Sequence, residues 1–129
     1  MPHVFEYALL RAVPRQERGE FVNVGVLLYC ETLDFLQAKT FVDAKRVHAL
    51  DPSVDIGLLE ETLGHLTDSC DGTEQAGPVT KTKKGQRFRW LTAPRSTFVQ
   101  TSPTHTGLTD DPQSELEHLL KTLVLPVTD

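Results

Sequence analysis

Cysteine is scarce in this chain. Cys30 and Cys70 are the only two, and they form no Cys-x-x-Cys pair. Neither a disulfide framework nor a zinc framework is expected, and both thiols read as buried or idle in a reducing cytosol. Long apolar runs are absent too. The longest, Val24 to Cys30, contains Gly25 and falls far short of the ~20 residues that a membrane-spanning helix needs. The N-terminal Met1-Pro2-His3-Val4-Phe5-Glu6 has no basic region ahead of an apolar one, so no secretory signal is expected and the setting reads as cytoplasmic. A Gly-rich phosphate loop and a dinucleotide fingerprint are both missing, and no cofactor is expected. His48, His65, His105 and His118 show no metal-ligand spacing.

One absence is local. From Gln75 to Thr109 there is no Asp or Glu, while the same window holds Lys81, Lys83, Lys84, Arg87, Arg89 and Arg95. That charge of +6 leaves −11 on the remainder of a chain whose net charge is −5. Such an asymmetry means either an anion-facing surface or a basic segment folded against the chain's own acidic helices.

What is present points to one folded domain over 1–129. The chain is 39% hydrophobic and 24% charged, ordinary values for a globular protein. A chain of this length removes roughly two thirds of its unfolded surface from water on folding.

Period-two patterns come first. Val4 to Val13 reads as a strand that is apolar on both faces. A polar turn, Pro14 to Gly19, leads to a second strand from Glu20 to Cys30. There Val22, Val24, Val26 and Leu28 alternate with Phe21, Asn23, Gly25, Leu27 and Tyr29. Strict alternation puts Asn23 and Gly25 on one face, where a strand glycine marks a close approach by another group. The group expected there is the Arg95 to His105 segment. After a loop at Glu31-Thr32-Leu33-Asp34, Phe35 to Val42 reads as a third strand, which completes an antiparallel meander.

The period then lengthens to about 3.6 residues, the helical repeat. Asp43 caps a short helix carrying Ala44, Val47 and Leu50. Asp51-Pro52 reads as the start of a longer one with Ile56, Leu59, Leu63, Leu66 and Cys70 on its apolar side. Asp68 to Gln86 has no apolar period and reads as a flexible loop. Phe88–Leu91 and Thr97–Gln100 are short strand candidates, with Phe88 and Trp90 in the core and Arg87 and Arg89 on the opposite face. Thr101 to Asp111 reads as loop. Asp111-Pro112 repeats the cap-plus-proline signal ahead of a helix with Leu116, Leu119, Leu120, Leu123 and Val124. The expected class is α+β: an antiparallel sheet of a three-strand meander plus one or two later strands, packed by two main helices.

Three sets of residues carry chemistry. Arg15, Arg18 and Glu20 surround the first turn, with Asn23 beyond; two arginines there would clamp a phosphate or carboxylate, and the plainer reading is mutual neutralisation at a wet hairpin tip. Arg89, Arg95, Ser96 and His105 lie in the acid-free segment, where basic and aromatic residues interleave. Single-stranded nucleic acid suits that pattern, but the acidic whole argues against it, and ordinary sheet burial accounts for the aromatics. Ser96, His105 and Asp110 invite a triad that no Gly-x-Ser-x-Gly elbow supports.

Arg11-Ala12-Val13-Pro14 followed by Arg18-Gly19-Glu20-Phe21-Val22-Asn23-Val24-Gly25-Val26 resembles the opening of a group of small bacterial proteins catalogued only as a domain of unknown function. Arg87-Phe88-Arg89-Trp90-Leu91-Thr92-Ala93-Pro94-Arg95-Ser96 and His105-Thr106-Gly107 resemble the same group's second block. The likeness spans about residues 3 to 125. It implies no activity. It does imply association with kinase-like proteins of the HipA type, hence a partner role, and it draws attention to Arg18, Glu20, Asn23, Arg95, Ser96 and His105.

Three functional expectations follow, the last of them nucleic-acid binding through the basic segment Lys81 to Arg95. The first is a non-enzymatic accessory or interaction domain with an anion-binding face built from the turn and the acid-free segment. The second is an enzyme acting on a phosphorylated or nucleotide substrate, with Arg18 and Arg95 as clamps and His105 as acid or base.

Overall fold

The computed structural model describes residues 1–71, 83–93 and 98–127. Strands β1 (His3–Ala12), β2 (Val22–Cys30) and β3 (Phe35–Thr40) form the antiparallel meander that their alternation predicts. Strands β4 (Val99–Thr101) and β5 (His105–Thr109) both return along the other edge of β1, β4 beside Leu10–Ala12 and β5 beside His3–Tyr7. The five strands make one sheet. Helices α1 (Ala44–Leu50), α2 (Ile56–Asp71), α3 (Lys84–Leu91) and α4 (Pro112–Leu123) complete an α+β fold. No helix among the described residues is long and apolar enough to cross a membrane.

Both sheet faces are covered. Leu10, Ala12, Val22 and Val24 pack with Val47 of α1 and with Leu59 and Leu63 of α2. Leu27, Leu36 and Ala38 continue that layer under Cys70, Phe88 and Leu91. Phe5, Val26, Leu28 and Cys30 pack on the opposite side against Leu116, Leu119 and Val124 at α4. Cys30 and Cys70 are free and buried.

The face assignment of β2 departs from strict alternation. Leu10 pairs with Gly25 and Arg11 with Asn23, so Val24 is an extra residue opposite β1. Such a bulge rotates the strand and shifts every later side chain by one face. Val22 and Val24 therefore enter the α1/α2 layer while Val26 and Leu28 enter the α4 layer. Gly25 is approached by neighbours within the sheet. A Cβ there would lie 2.9 Å from Leu10 Cδ1, 2.9 Å from Lys39 O and 3.0 Å from Thr40 Cγ2. None of these three neighbours belongs to the described part of the Arg95–His105 segment, residues 98–105.

Four local expectations are corrected. The first concerns the Phe88–Leu91 stretch, which lies in helix α3 and is no strand. Its Arg-Phe-Arg-Trp alternation mimics period two, but the buried pair Phe88 and Leu91 has helical spacing. Trp90 is 53% exposed while Phe88 is fully buried, and Arg87 is buried while Arg89 is exposed. Secondly, residues 68–71 belong to α2 and 84–86 to α3, so the expected loop shrinks from both sides; its centre, 72–82, lies outside the described residues. Thirdly, the stretch read as loop after Thr101 contains β5. Ser102 joins β4 to β5, its N–H donating to Leu9 O (2.9 Å) and its Oγ accepting from Leu9 N (2.8 Å). Lastly, Asp51 does not cap α2. Asp55 does, Oδ1 accepting from Leu58 N at 3.0 Å. Asp43 and Asp111 cap α1 and α4 as their positions predict.

Candidate functional site

The first turn folds as a single 3-10 turn, Gln16–Arg18, closed by Gly19 at φ 69°, a left-handed conformation that glycine adopts without a Cβ clash. Two polar groups extend from it. Arg15 Nε contacts Asp51 Oδ2 at 3.1 Å, and its Nη1 lies 3.8 Å from Glu17 Oε1. Arg18 Nε donates to Glu20 Oε1. That bond, then the charge attraction, raises the Arg18 guanidinium, and the same bond holds the Glu20 carboxyl below its ordinary value. Arg18 and Glu20 neutralise each other at an exposed tip, the plainer of the two readings of this pair.

Asp51 is 7% exposed and closes the C-terminal end of α1. Its Oδ1 accepts from Ser53 Oγ at 2.6 Å and Ser53 N at 2.9 Å. Those bonds lead in holding its carboxyl below the usual range, with Arg15 a smaller contributor.

The turn also meets the chain leading into β4. Val13 N–H donates to Phe98 O at 2.6 Å. Between them opens a cleft of about 640 Å³ lined by Val13, Pro14, Arg15, Gln16, Glu17, Asp51, Ser53 and Phe98. A second, more apolar hollow of about 400 Å³ lies on the α2 and α3 side of Phe98, with Trp90 and His65 among its walls. It holds none of Arg15, Arg18, Asn23, Arg89 or His105.

The other candidates stand apart. Asn23 Nδ2 donates to Leu123 O at 3.2 Å and ties β2 to the end of α4. Among the described residues its buried Oδ1 has no hydrogen-bond partner, and neither has Nε of Arg11, its cross-strand neighbour. The Arg11 guanidinium stacks over Phe21, 4.1 Å from the ring centre. Asn23 thus bonds to the backbone at the end of α4 and does not line the cleft beside Arg15. Arg89 Nη2 donates to Glu6 Oε2 at 2.8 Å. That bond, the larger cause, raises the Arg89 guanidinium, and the charge of Glu6 adds to it. His105 stacks on Tyr7 with ring centres 5.1 Å apart. Tyr7 lies five residues before Ala12, the last β1 residue before the turn, so at about 3.3 Å per residue Tyr7 sits roughly 17 Å along the strand from Ala12. Arg95 and Ser96 lie outside the described residues.

Of the described basic residues, Lys84 and Arg89 meet carboxylates of the β2–β3 turn and of β1, not the acidic side chains of the helices, and Arg87 meets a carbonyl of α2. Lys84 Nζ reaches Asp34 Oδ2 at 3.1 Å, Arg89 holds Glu6, and Arg87 Nη2 donates to Cys70 O at 3.2 Å. The alternating basic and aromatic strand that would have offered a base-stacking face is a helix with Arg87 buried.

Sequence reasoning gave Asp51 a capping role and did not join it to Arg15. Ion pairs between residues 36 apart leave no local signature. Phe98 was placed in the core; the backbone pairing of Val13 and Phe98 that frames the cleft follows only from β4 choosing the edge of β1.

The chain belongs to the DUF3037 family, proteins of unknown function, whose family model matches residues 7–124. No curated protein and no solved structure matches the chain.

Proposed function

We propose that this protein is a non-enzymatic interaction module that receives an anionic group of its partner in the cleft between the first turn and Phe98. The observation that carries the reading is the Arg15–Asp51 arrangement. Arg15 is about half exposed at the cleft wall, and its carboxylate partner has Ser53 as an independent support. The guanidinium can turn from Asp51 to an incoming carboxylate or phosphate while the Asp51 carboxylate keeps its two hydrogen bonds from Ser53. The bond from Val13 to Phe98 supports the expectation that the turn and the acid-free segment share one face.

The enzyme reading needs Arg18 and His105 in one cleft, and the separation along β1 removes support for it. The partner class implied by the family resemblance is a kinase-like protein of the HipA type in a bacterial cytosol. Isothermal titration of this chain against such a kinase from the same genome tests the proposal. Binding is expected, with at least a tenfold loss for Arg15→Ala and none for Arg18→Ala. Equal binding by all three proteins, or no binding at all, would sink it.

A further inference from the structure

We infer that the outer edge of β5 pairs with β5 of a second copy of the chain, antiparallel and centred on Gly107. Strand β5 hydrogen-bonds to β1 on one side. Among the described residues, no strand pairs with its other side. An open edge of this kind is a template for another strand, and proteins that stay monomeric blunt it with lysine, proline or a covering element. His105–Thr109 contains no lysine, no proline and no acidic residue.

The composition of the edge also suits a two-fold arrangement. Centring on Gly107 places His105 opposite Thr109 and Thr106 opposite Leu108 of the second copy. No two like charges meet. Asp110, paired with the N-terminal ammonium at 3.5 Å, falls opposite the neutral Thr104. Pro103 lacks an N–H and ends the ladder there. Gly107 matters at the centre. A Cβ on it would lie 2.7 Å from Phe5 Cε1 and Cζ, so the Phe5 ring already covers one face of the strand at this point.

The apolar surface points the same way. Val4 and Leu108 are cross-strand partners on β1 and β5, 59% and 64% exposed. In the two-fold pairing the two Leu108 residues become diagonal neighbours, about 7–8 Å apart with their side chains within mutual reach. Each copy thereby covers part of the other's Val4–Leu108 patch. A five-residue ladder with these side chains buries less than the roughly 1,200 Å² of a standard stable interface, so the association is weak and concentration-dependent.

Sedimentation velocity on the full chain at about 10 µM and about 1 mM reads this directly. The wild type is expected to move from the 14.4 kDa monomer mass toward twice that value. The amides on the outer edge of residues 105–109 are expected to exchange more slowly as concentration rises. Leu108→Lys, at an exposed position, keeps the fold by circular dichroism and stays monomeric throughout. A wild type that remains monomeric at about 1 mM overturns the inference. So does a dimer that Leu108→Lys forms equally well, or one whose protected amides lie elsewhere. An edge reserved for a strand of another protein gives the first of these outcomes.

Discussion

Asn23 and Gly25 lie two residues apart in one strand and face opposite sides of the sheet, because Val24 is an extra residue against β1. Asn23 points to the end of α4 and Gly25 to Leu10 and the β3 backbone. The polar break and the glycine in the same strand thus have different causes.

The glycine leads to the first prediction. Gly25→Ala forces a methyl group against Lys39 O at 2.9 Å, a backbone atom that cannot swing away. A loss of about 1–3 kcal/mol is expected from overpacking, read from the urea midpoint at unchanged slope. A neutral Gly25→Ala would mean that β3 sits farther from β2 at this point.

Asn23 behaves differently. Asn23→Ala removes one hydrogen bond to Leu123 O and leaves no further group unpaired on its own side chain, since Oδ1 has no partner among the described residues to lose. A cost of about 1 kcal/mol is expected, together with faster amide exchange in the last turn of α4. Hypothetical ligand-binding losses without any stability change would instead make Asn23 part of a site.

Much of this was legible in the residues. The meander, the Asp43 and Asp111 caps and the stripe of the last helix follow from local periodicity. The bulge does not, because Val24 and Val26 are chemically interchangeable and only the register against β1 separates them. Helix α3 was hidden by Arg-Phe-Arg-Trp, whose alternation imitates a strand; the burial of Phe88 under Tyr29, rings 5.3 Å apart, decides its form. The site fared worse. Arg15 is a candidate from its place in the turn, but its pairing with Asp51 is a tertiary fact, as is the stacking of His105 on Tyr7.

The buried thiols give a third prediction. Burial pushes the Cys70 thiol up to about 12, and Cys30 is fully buried. Neither is expected to react with a thiol reagent at about pH 8 in the native state, since the thiolate is the nucleophile and access is closed. Both react after denaturation. Rapid native labelling of Cys70 would contradict the placement of α2 and α3.

A fourth concerns acid. The carboxyls of Asp51 and Asp111 are held below their ordinary value of 3.8, chiefly by hydrogen bonds from Ser53 and from Ser114. A depressed folded pKa contributes stability that is complete above the unfolded value and is lost as pH falls through the folded one. The melting temperature is expected to fall as pH drops below about 4. Asp111→Asn keeps a side chain able to cap α4 and is expected to flatten that acid limb. An unchanged limb in Asp111→Asn would place the acid sensitivity in other groups.

The account rests most directly on whether the cleft takes an anion through Arg15. Titration of the ¹⁵N-labelled protein with inorganic phosphate, followed by nuclear magnetic resonance, reads it residue by residue. Saturable shifts are predicted at Arg15 Nε–H and at the amides of Gln16 and Ser53, and they are predicted to vanish in Arg15→Ala while Arg18→Ala retains them. Shifts that persist in Arg15→Ala, or that gather on Lys83 and Lys84 and leave the cleft unmoved, would contradict the account.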